Sequence, residues 1–364
     1  MGLDIGGAET HVVELALELK RRGADVSVAS NGGVYEADLA KAGIPHYKAP
    51  MDRRSLRCMA KSYFIMRKLI RHEKPDIVHA HARIPGFICG LLHRKKRFKF
   101  VATAHWVFDV SGSLRRLTNW GQKTIAVSDD IKQYLIENYG IPQEDISVTI
   151  NGVDTEKFSP DIAPDGIISE FRLDPNRPII CNVSRLDESA AAATRVLIDI
   201  APQLHERIPG VQLVIAGGGD IFSELKEKAD AVNAHTGSNT VTMTDARTDI
   251  NCILSACDLF VGVSRAAIEA MASRKPVIMA GKEGYVGLFT PDKVQIAMDT
   301  NYCFRGCELT SHEPLLCDIT EFFADTDYAK RAVLGEFGRE LVIKEYSVKK
   351  MTDDCMKVYN AVSR

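Results

Sequence analysis

A chain of 364 residues with 45% hydrophobic and 26% charged residues has the balance of a water-soluble globular protein and is long enough for two cores of ordinary size. No run approaches the ~18 uninterrupted apolar residues of a membrane-spanning helix, and the nine cysteines, odd in number and scattered, argue against a disulfide framework. The net charge of −2 conceals a basic first part (24 Lys+Arg against 18 Asp+Glu over residues 1–158) and a basic concentration over 51–100, where 14 cationic residues face 3 acidic ones.

Strand-length apolar runs alternate with amphipathic helical stretches, the pattern of parallel sheets covered by helices. No apolar signal region opens the chain, so a cytoplasmic protein with reduced thiols is expected. Gly6 and Gly7 precede a helix over 9–22, which Gly23 stops before a strand over 25–30. Only residues 1–5 stand ahead of this loop. They are too few for a strand and its loop, so either the true start lies upstream or the first sheet lacks its middle strand.

A helix over 55–72 follows, then strands over 76–81, 100–104, 124–127 and 147–150, with Ser128 read as the N-cap of a helix over 129–138. The first domain is expected over 1–158. Periodicity fades over 159–178, where Pro160, Pro164, Pro175 and Pro178 mark a linker. A second α/β domain over 179–345 places strands at 179–184, 211–216, 240–243, 259–263 and 276–280, with a helix over 265–273. Residues 346–364 read as a helix packing back on the first domain. Two such halves imply a cleft lined by the carboxyl ends of their strands.

On the helix over 55–72, Leu56, Met59, Tyr63, Met66 and Ile70 form an apolar stripe. Arg54, Arg57, Lys61 and Lys68 take the other side with Phe64, and residues 93–99 add a second basic cluster. A solvated helix face is the plain reading; docking on an anionic lipid surface, with Phe64 entering the interface, is the sharper one. His79 and His81 share one face of a strand and read as structural, because the sequence points to no third metal ligand. Cys303 with Cys307 and Cys252 with Cys257 have no matching pair at zinc-site spacing. Gly217-Gly218-Gly219 fails as a dinucleotide fingerprint because the sixth position is Phe222, and reads as a strand-to-helix turn.

Four segments resemble glycosyltransferase family 4. They are Gly6-Gly7-Ala8-Glu9, Asp76-Ile77-Val78-His79-Ala80-His81, Asn151-Gly152-Val153-Asp154 with Phe158, and Ile268-Glu269-Ala270-Met271-Ala272 followed by Pro276-Val277-Ile278. The resemblance implies an α/β GT-B protein, two Rossmann-like doubly wound domains facing across a cleft. It implies transfer of a sugar from a nucleotide sugar, a UDP-sugar being the commonest donor, to a glycan or lipid-linked acceptor. Configuration is retained, with no cofactor, no obligatory metal and no nucleic-acid partner. An envelope-glycan enzyme on the inner face of the membrane fits this picture.

The resemblance also assigns residues. Glu269 would accept two hydrogen bonds from the ribose diol; its plain alternative is an acid in the first turn of a helix. Arg185, at the end of a strand, would clamp the diphosphate and stabilise the leaving group; its alternative is a surface arginine paired with Asp187 or Glu188. The family's lysine a few residues after Arg185 is absent, and Arg265 is the candidate replacement. His105 would contact the donor sugar, and Gly6 and Gly7 would approach a phosphate or acceptor oxygen. Asp245 stands near the base, where the family has glycine, and Ser264 offers a weaker contact to the sugar. The family's first glutamate, eight positions before Glu269, is Val261 here, and Arg274 replaces a glycine. These departures support a rival reading, a catalytically impaired nucleotide- or glycan-binding or partner protein. A sugar-nucleotide epimerase or hydrolase on the same fold is a third reading, for which the sequence offers no clear acid/base pair.

Overall fold

The computed structural model describes residues 2–52, 55–95, 98–107, 114–325 and 328–363. The chain divides into two compact units, Met1–Gly152 with Ser347–Arg364, and Val153–Tyr346.

In the first unit, β1 (Val28–Ser30) and β2 (His46–Lys48) pair in parallel as a separate ribbon. A parallel sheet in the order β3-β4-β5-β6 contains Ile77–Ala80, Lys99–Ala104, Lys123–Ala126 and Ile146–Val148. Among the described residues, no strand joins the ribbon to this sheet. The segment ahead of Gly6 is held by the loop after β1. Leu3 N–H donates to Gly32 O at 2.8 Å, Tyr35 N–H donates to Leu3 O at 3.2 Å, and the Leu3 side chain is buried against Val13, Leu39 and Ile44. Helix Gly7–Arg21 and helix Val348–Ser363 pack together, with Leu15, Val101, Ile125, Met351, Cys355 and Tyr359 in one cluster. An ion pair between Arg22 and Asp353 at 2.5 Å closes the surface of that contact.

Ser128 is the N-cap residue of helix Asp129–Tyr139, as expected, but its hydroxyl makes no capping hydrogen bond and donates to Asp130, whose Oδ1 accepts from Ile131 N–H at 2.9 Å. Of the apolar stripe on helix Leu56–Glu73, Met66 and Ile70 are buried and Leu56 is 85% exposed. Residues 159–178 are not a bare linker. They lie in the second unit and include helix Asp165–Phe171, with Ile167 and Leu173 buried.

The second unit has a six-stranded sheet in the order β12-β11-β10-β7-β8-β9. Its strands are β7 (Ile179–Val183), β8 (Gln212–Ala216), β9 (Val241–Thr244), β10 (Leu259–Gly262), β11 (Val277–Ala280) and β12 (Tyr285–Leu288). All pairings are parallel except β11 with β12. Helices cover this sheet, so β7, β8, β10 and β11 read as almost unbroken apolar runs. Parallel strands finish at one edge, which gathers the residues after β7, β8, β9 and β10.

All nine cysteines are free thiols. Helix Val348–Ser363 contributes more than apolar contact, since Tyr359 OH lies 2.8 Å from His79 Nδ1 on β3. Tyr359→Phe keeps the ring and strands one nitrogen of a buried imidazole, an expected loss of about 1–3 kcal/mol. Urea denaturation of the two proteins checks this, and coincident curves would contradict it.

Candidate active site

The donor-side residues stand at the carboxyl edge of the second unit's sheet. Only Val263 separates β10 from helix Ser264–Ala272. Ser264 takes a left-handed φ of 57°, and its N–H donates to Tyr302 O at 2.8 Å. The first amide of the helix is therefore already engaged. One turn on, Arg265 Nε donates to Glu269 Oε1 at 2.8 Å, and each side chain is 10% exposed. Burial pushes the Glu269 carboxyl up from the usual range, while Arg265 nearby and Lys157 pull it down. An ionised carboxylate so far from water needs such a partner. The sequence reading gave Arg265 to phosphate and Glu269 to ribose separately; the structure makes them one pair.

Counting eight residues back from Glu269 reaches Val261, which lies inside β10. It is fully buried among Ile180, Leu213 and Ile278. A side chain there faces the core whatever its chemistry.

Arg185 follows β7 with its side chain 70% exposed, 3.6 Å from Asp187. Its loop is clamped to the turn after β8, since Leu186 N–H donates to Gly218 O at 2.9 Å. A Cβ on Gly217 would lie 1.9 Å from Ser184 O, so glycine is required there for close backbone approach, the plain reading of the glycine run. Glu188 pairs not with Arg185 but with Arg195, at 2.9 Å, on helix Ala192–Asp199. Asp245 is exposed just beyond β9, and its Oδ1 accepts from Ala246 N–H at 2.6 Å and stands against Gly218. Arg274 carries a left-handed φ of 60°, a cost of about 1 kcal/mol for such a residue, and pairs with Glu336 at 2.7 Å.

The first unit holds a cluster of imidazoles. His81 and His105 follow β3 and β4, neighbours in parallel register, so their side chains meet, with His81 Nδ1 3.3 Å from His105 Nε2. His11, buried on helix Gly7–Arg21, sets its ring 4.7 Å from that of His105 and 5.6 Å from that of His81. Neither its sequence position nor the family resemblance singled out His11; its place on the inward stripe of an amphipathic helix was the available signal. His79 is structural, as read, with Nδ1 near Tyr359 OH and Nε2 2.7 Å from Thr103 Oγ1. Burial lowers His79 to about 3 and His105 to about 4, and holds His81 well below the usual imidazole range with help from its neighbours.

At the start of helix Gly7–Arg21, a Cβ on Gly6 would come within 2.4 Å of Glu9 Oε2. The space beside Gly6 is thus lined by a carboxylate, while none of the described residues lies within 4 Å of where a Cβ on Gly7 would stand. On helix Leu56–Glu73, Arg57, Lys61, Phe64 and Lys68 are all exposed, Phe64 at 62%. Arg54 and, in the second basic cluster, Lys96 and Arg97 lie outside the described residues.

Residues 5–157 match the family described as Glycosyltransferase Family 4, and residues 177–298 match Glycosyl transferases group 1. The chain belongs to this family of glycosyltransferases. The UDP-Gal:alpha-D-GlcNAc-diphosphoundecaprenol alpha-1,3-galactosyltransferase of Escherichia coli is 28% identical over 62% of each chain. The phosphatidyl-myo-inositol mannosyltransferase of Mycobacterium tuberculosis is also 28% identical, over 63% of this chain and 61% of its own. The chain thus spans about three fifths of the length of these curated relatives. A glycosyltransferase from Rickettsia africae superposes with a TM-score of 0.77 at 22% identity, covering 100% of this chain and 97% of its own. The fold is GT-B, as expected.

The imidazoles make a pH prediction. Their folded-state affinity for protons is depressed, so the unfolded chain binds more protons between about pH 6.5 and 4, and stability falls as pH falls through that window. Each histidine adds a slope of at most about 1.4 kcal/mol per pH unit. Urea midpoints of wild type and His79→Asn should converge toward pH 4; a constant gap would contradict the assignment for His79.

Proposed function

We propose that this protein is a retaining glycosyltransferase that moves a sugar from a nucleotide sugar, a UDP-sugar, to a lipid-linked glycan acceptor. The carrying observation is the buried Arg265–Glu269 pair at the end of β10 in a chain of this family. Arg265 keeps Glu269 ionised and oriented, and the carboxylate accepts hydrogen bonds from both ribose hydroxyls. The exposed Arg185, on a loop braced by the glycine turn, takes the diphosphate and stabilises charge as the glycosidic bond breaks.

His105 is assigned to the donor sugar, with its neutral imidazole able to donate one hydrogen bond and accept another. Gly6 and Gly7 are assigned to the acceptor side, where Glu9 can receive a hydrogen bond from a hydroxyl. Asp245 and Ser264 are placed near the base and sugar. The nucleotide diphosphate departs from an oxocarbenium-like sugar, and the acceptor hydroxyl attacks from the face it leaves. The chemistry needs no resident cofactor, no obligatory metal and no nucleic acid.

The lipid-linked acceptor is supported by the E. coli and mycobacterial relatives, whose names specify a diphosphoundecaprenol and a phosphatidyl-inositol substrate. It is supported independently by the exposed Arg57, Lys61, Phe64 and Lys68 face. Cations beside a projecting aromatic ring suit an anionic membrane surface. No described helix is long and apolar enough to cross a membrane. A cytoplasmic protein, peripheral on the inner face and serving envelope-glycan synthesis, is the corresponding location.

Glu269→Ala should weaken UDP binding tenfold or more by calorimetry, with circular dichroism unchanged; equal affinity would remove Glu269 from the site. Sedimentation with anionic vesicles should be salt-sensitive and should fall in Arg57→Glu/Lys61→Glu. Equal sedimentation of both proteins would end the membrane assignment.

A further inference from the structure

We infer that His11, His81 and His105 of the first unit form a binding site for one transition-metal ion of the zinc class. Three chain segments converge on it: a helix, and the residues directly after two neighbouring parallel strands. One ring nitrogen of each histidine lies within 4.8 Å of the other two. A tetrahedral ion with metal–nitrogen bonds of about 2.0–2.1 Å sets its ligand nitrogens roughly 3.3 Å apart. His81 Nδ1 and His105 Nε2 already stand 3.3 Å apart. His11 completes the set by a ring movement of up to roughly 1.5 Å, the excess of the 4.8 Å bound over that spacing.

The surroundings fit a metal as well. His11 Nδ1 is 3.1 Å from Asn151 Oδ1, the kind of oxygen partner that orients metal-binding imidazoles and makes the far nitrogen the ligand. His79, its ring tilted against that of His81 with centroids 4.0 Å apart, is held by Tyr359 and Thr103 and supports the ring without joining the set. His105 Nδ1 is buried without a hydrogen-bond partner among the described residues. His81 Nδ1 and His105 Nε2 share one proton in their contact, and a cation set between the two nitrogens would take that proton's place. The donor set is nitrogen only, which selects zinc, cobalt, nickel or copper over magnesium or calcium. His81 and His105 are half-buried rather than sealed, so an ion can enter.

The ion is no part of the transfer chemistry. Occupancy engages His105, so on the reading given above (and only on it) the site is inhibitory.

The test is titration of the full chain with cobalt(II) chloride alone. One equivalent should give the intense visible absorption of four-coordinate cobalt without a thiolate charge-transfer band, which separates this site from the cysteines. His81→Gln/His105→Gln, folded by circular dichroism, should abolish the band. In case that variant fails to fold, copper(II) loaded into wild type should show hyperfine coupling to at least two imidazole nitrogens. No stoichiometric band, a band surviving the double substitution, or copper coupled to fewer than two imidazoles would each overturn the site. In a transfer assay, zinc at full occupancy should lower the rate at least tenfold and EDTA should restore it. A rate unchanged at full occupancy would overturn the inhibitory role while leaving the transferase reading intact.

Discussion

One carboxylate withdrawn from water organises the second unit. Glu269 loses hydration in its buried position, and the guanidinium of Arg265, one helical turn away and in contact with it, offsets part of that loss. The pair can exist because β10 runs almost directly into the helix, which sets both side chains on one face at a fixed spacing. That abrupt passage carries a conformational cost. Ser264 is left-handed, and the segment that accepts its N–H holds three more left-handed residues, Asn301, Tyr302 and Phe304. Tyr302 and Phe304 are fully buried, so packing sustains a backbone that such residues otherwise avoid.

The short passage from β10 into its helix leaves Val261, eight residues before Glu269, wholly within the core. No lysine follows Arg185 in its loop, and Arg265, the candidate replacement for it, is engaged with Glu269.

Much of the fold was legible because parallel strands buried on both faces leave long apolar runs that survive changes in surrounding sequence. The strands β3 to β11 fell within two residues of the expected spans for this reason. What escaped notice lacked that signature. The strand β12 is antiparallel at the sheet edge, four residues long, and interrupted by Gly287 at φ 70°. Helix Asp165–Phe171 is short and follows Pro164, so proline punctuation masked it. In the site, Glu269, Arg185 and His105 were visible only through family resemblance. The His11–His81–His105 cluster was not visible at all, because its members are far apart in the chain and only the parallel register of β3 and β4, with one helix laid against them, brings them together.

The central claim is that a nucleoside diphosphate is held at the Arg265–Glu269 edge of the second unit, and thermal unfolding tests it most directly. Melting would be followed with the diphosphates of uridine, guanosine, adenosine and cytidine, each far above its expected dissociation constant. A ligand at about 100 times that constant adds roughly 2.7 kcal/mol, enough to raise the melting temperature by several degrees. The account predicts such a rise with uridine diphosphate in wild type and its loss in Glu269→Ala. No shift with any of the four nucleotides would contradict it.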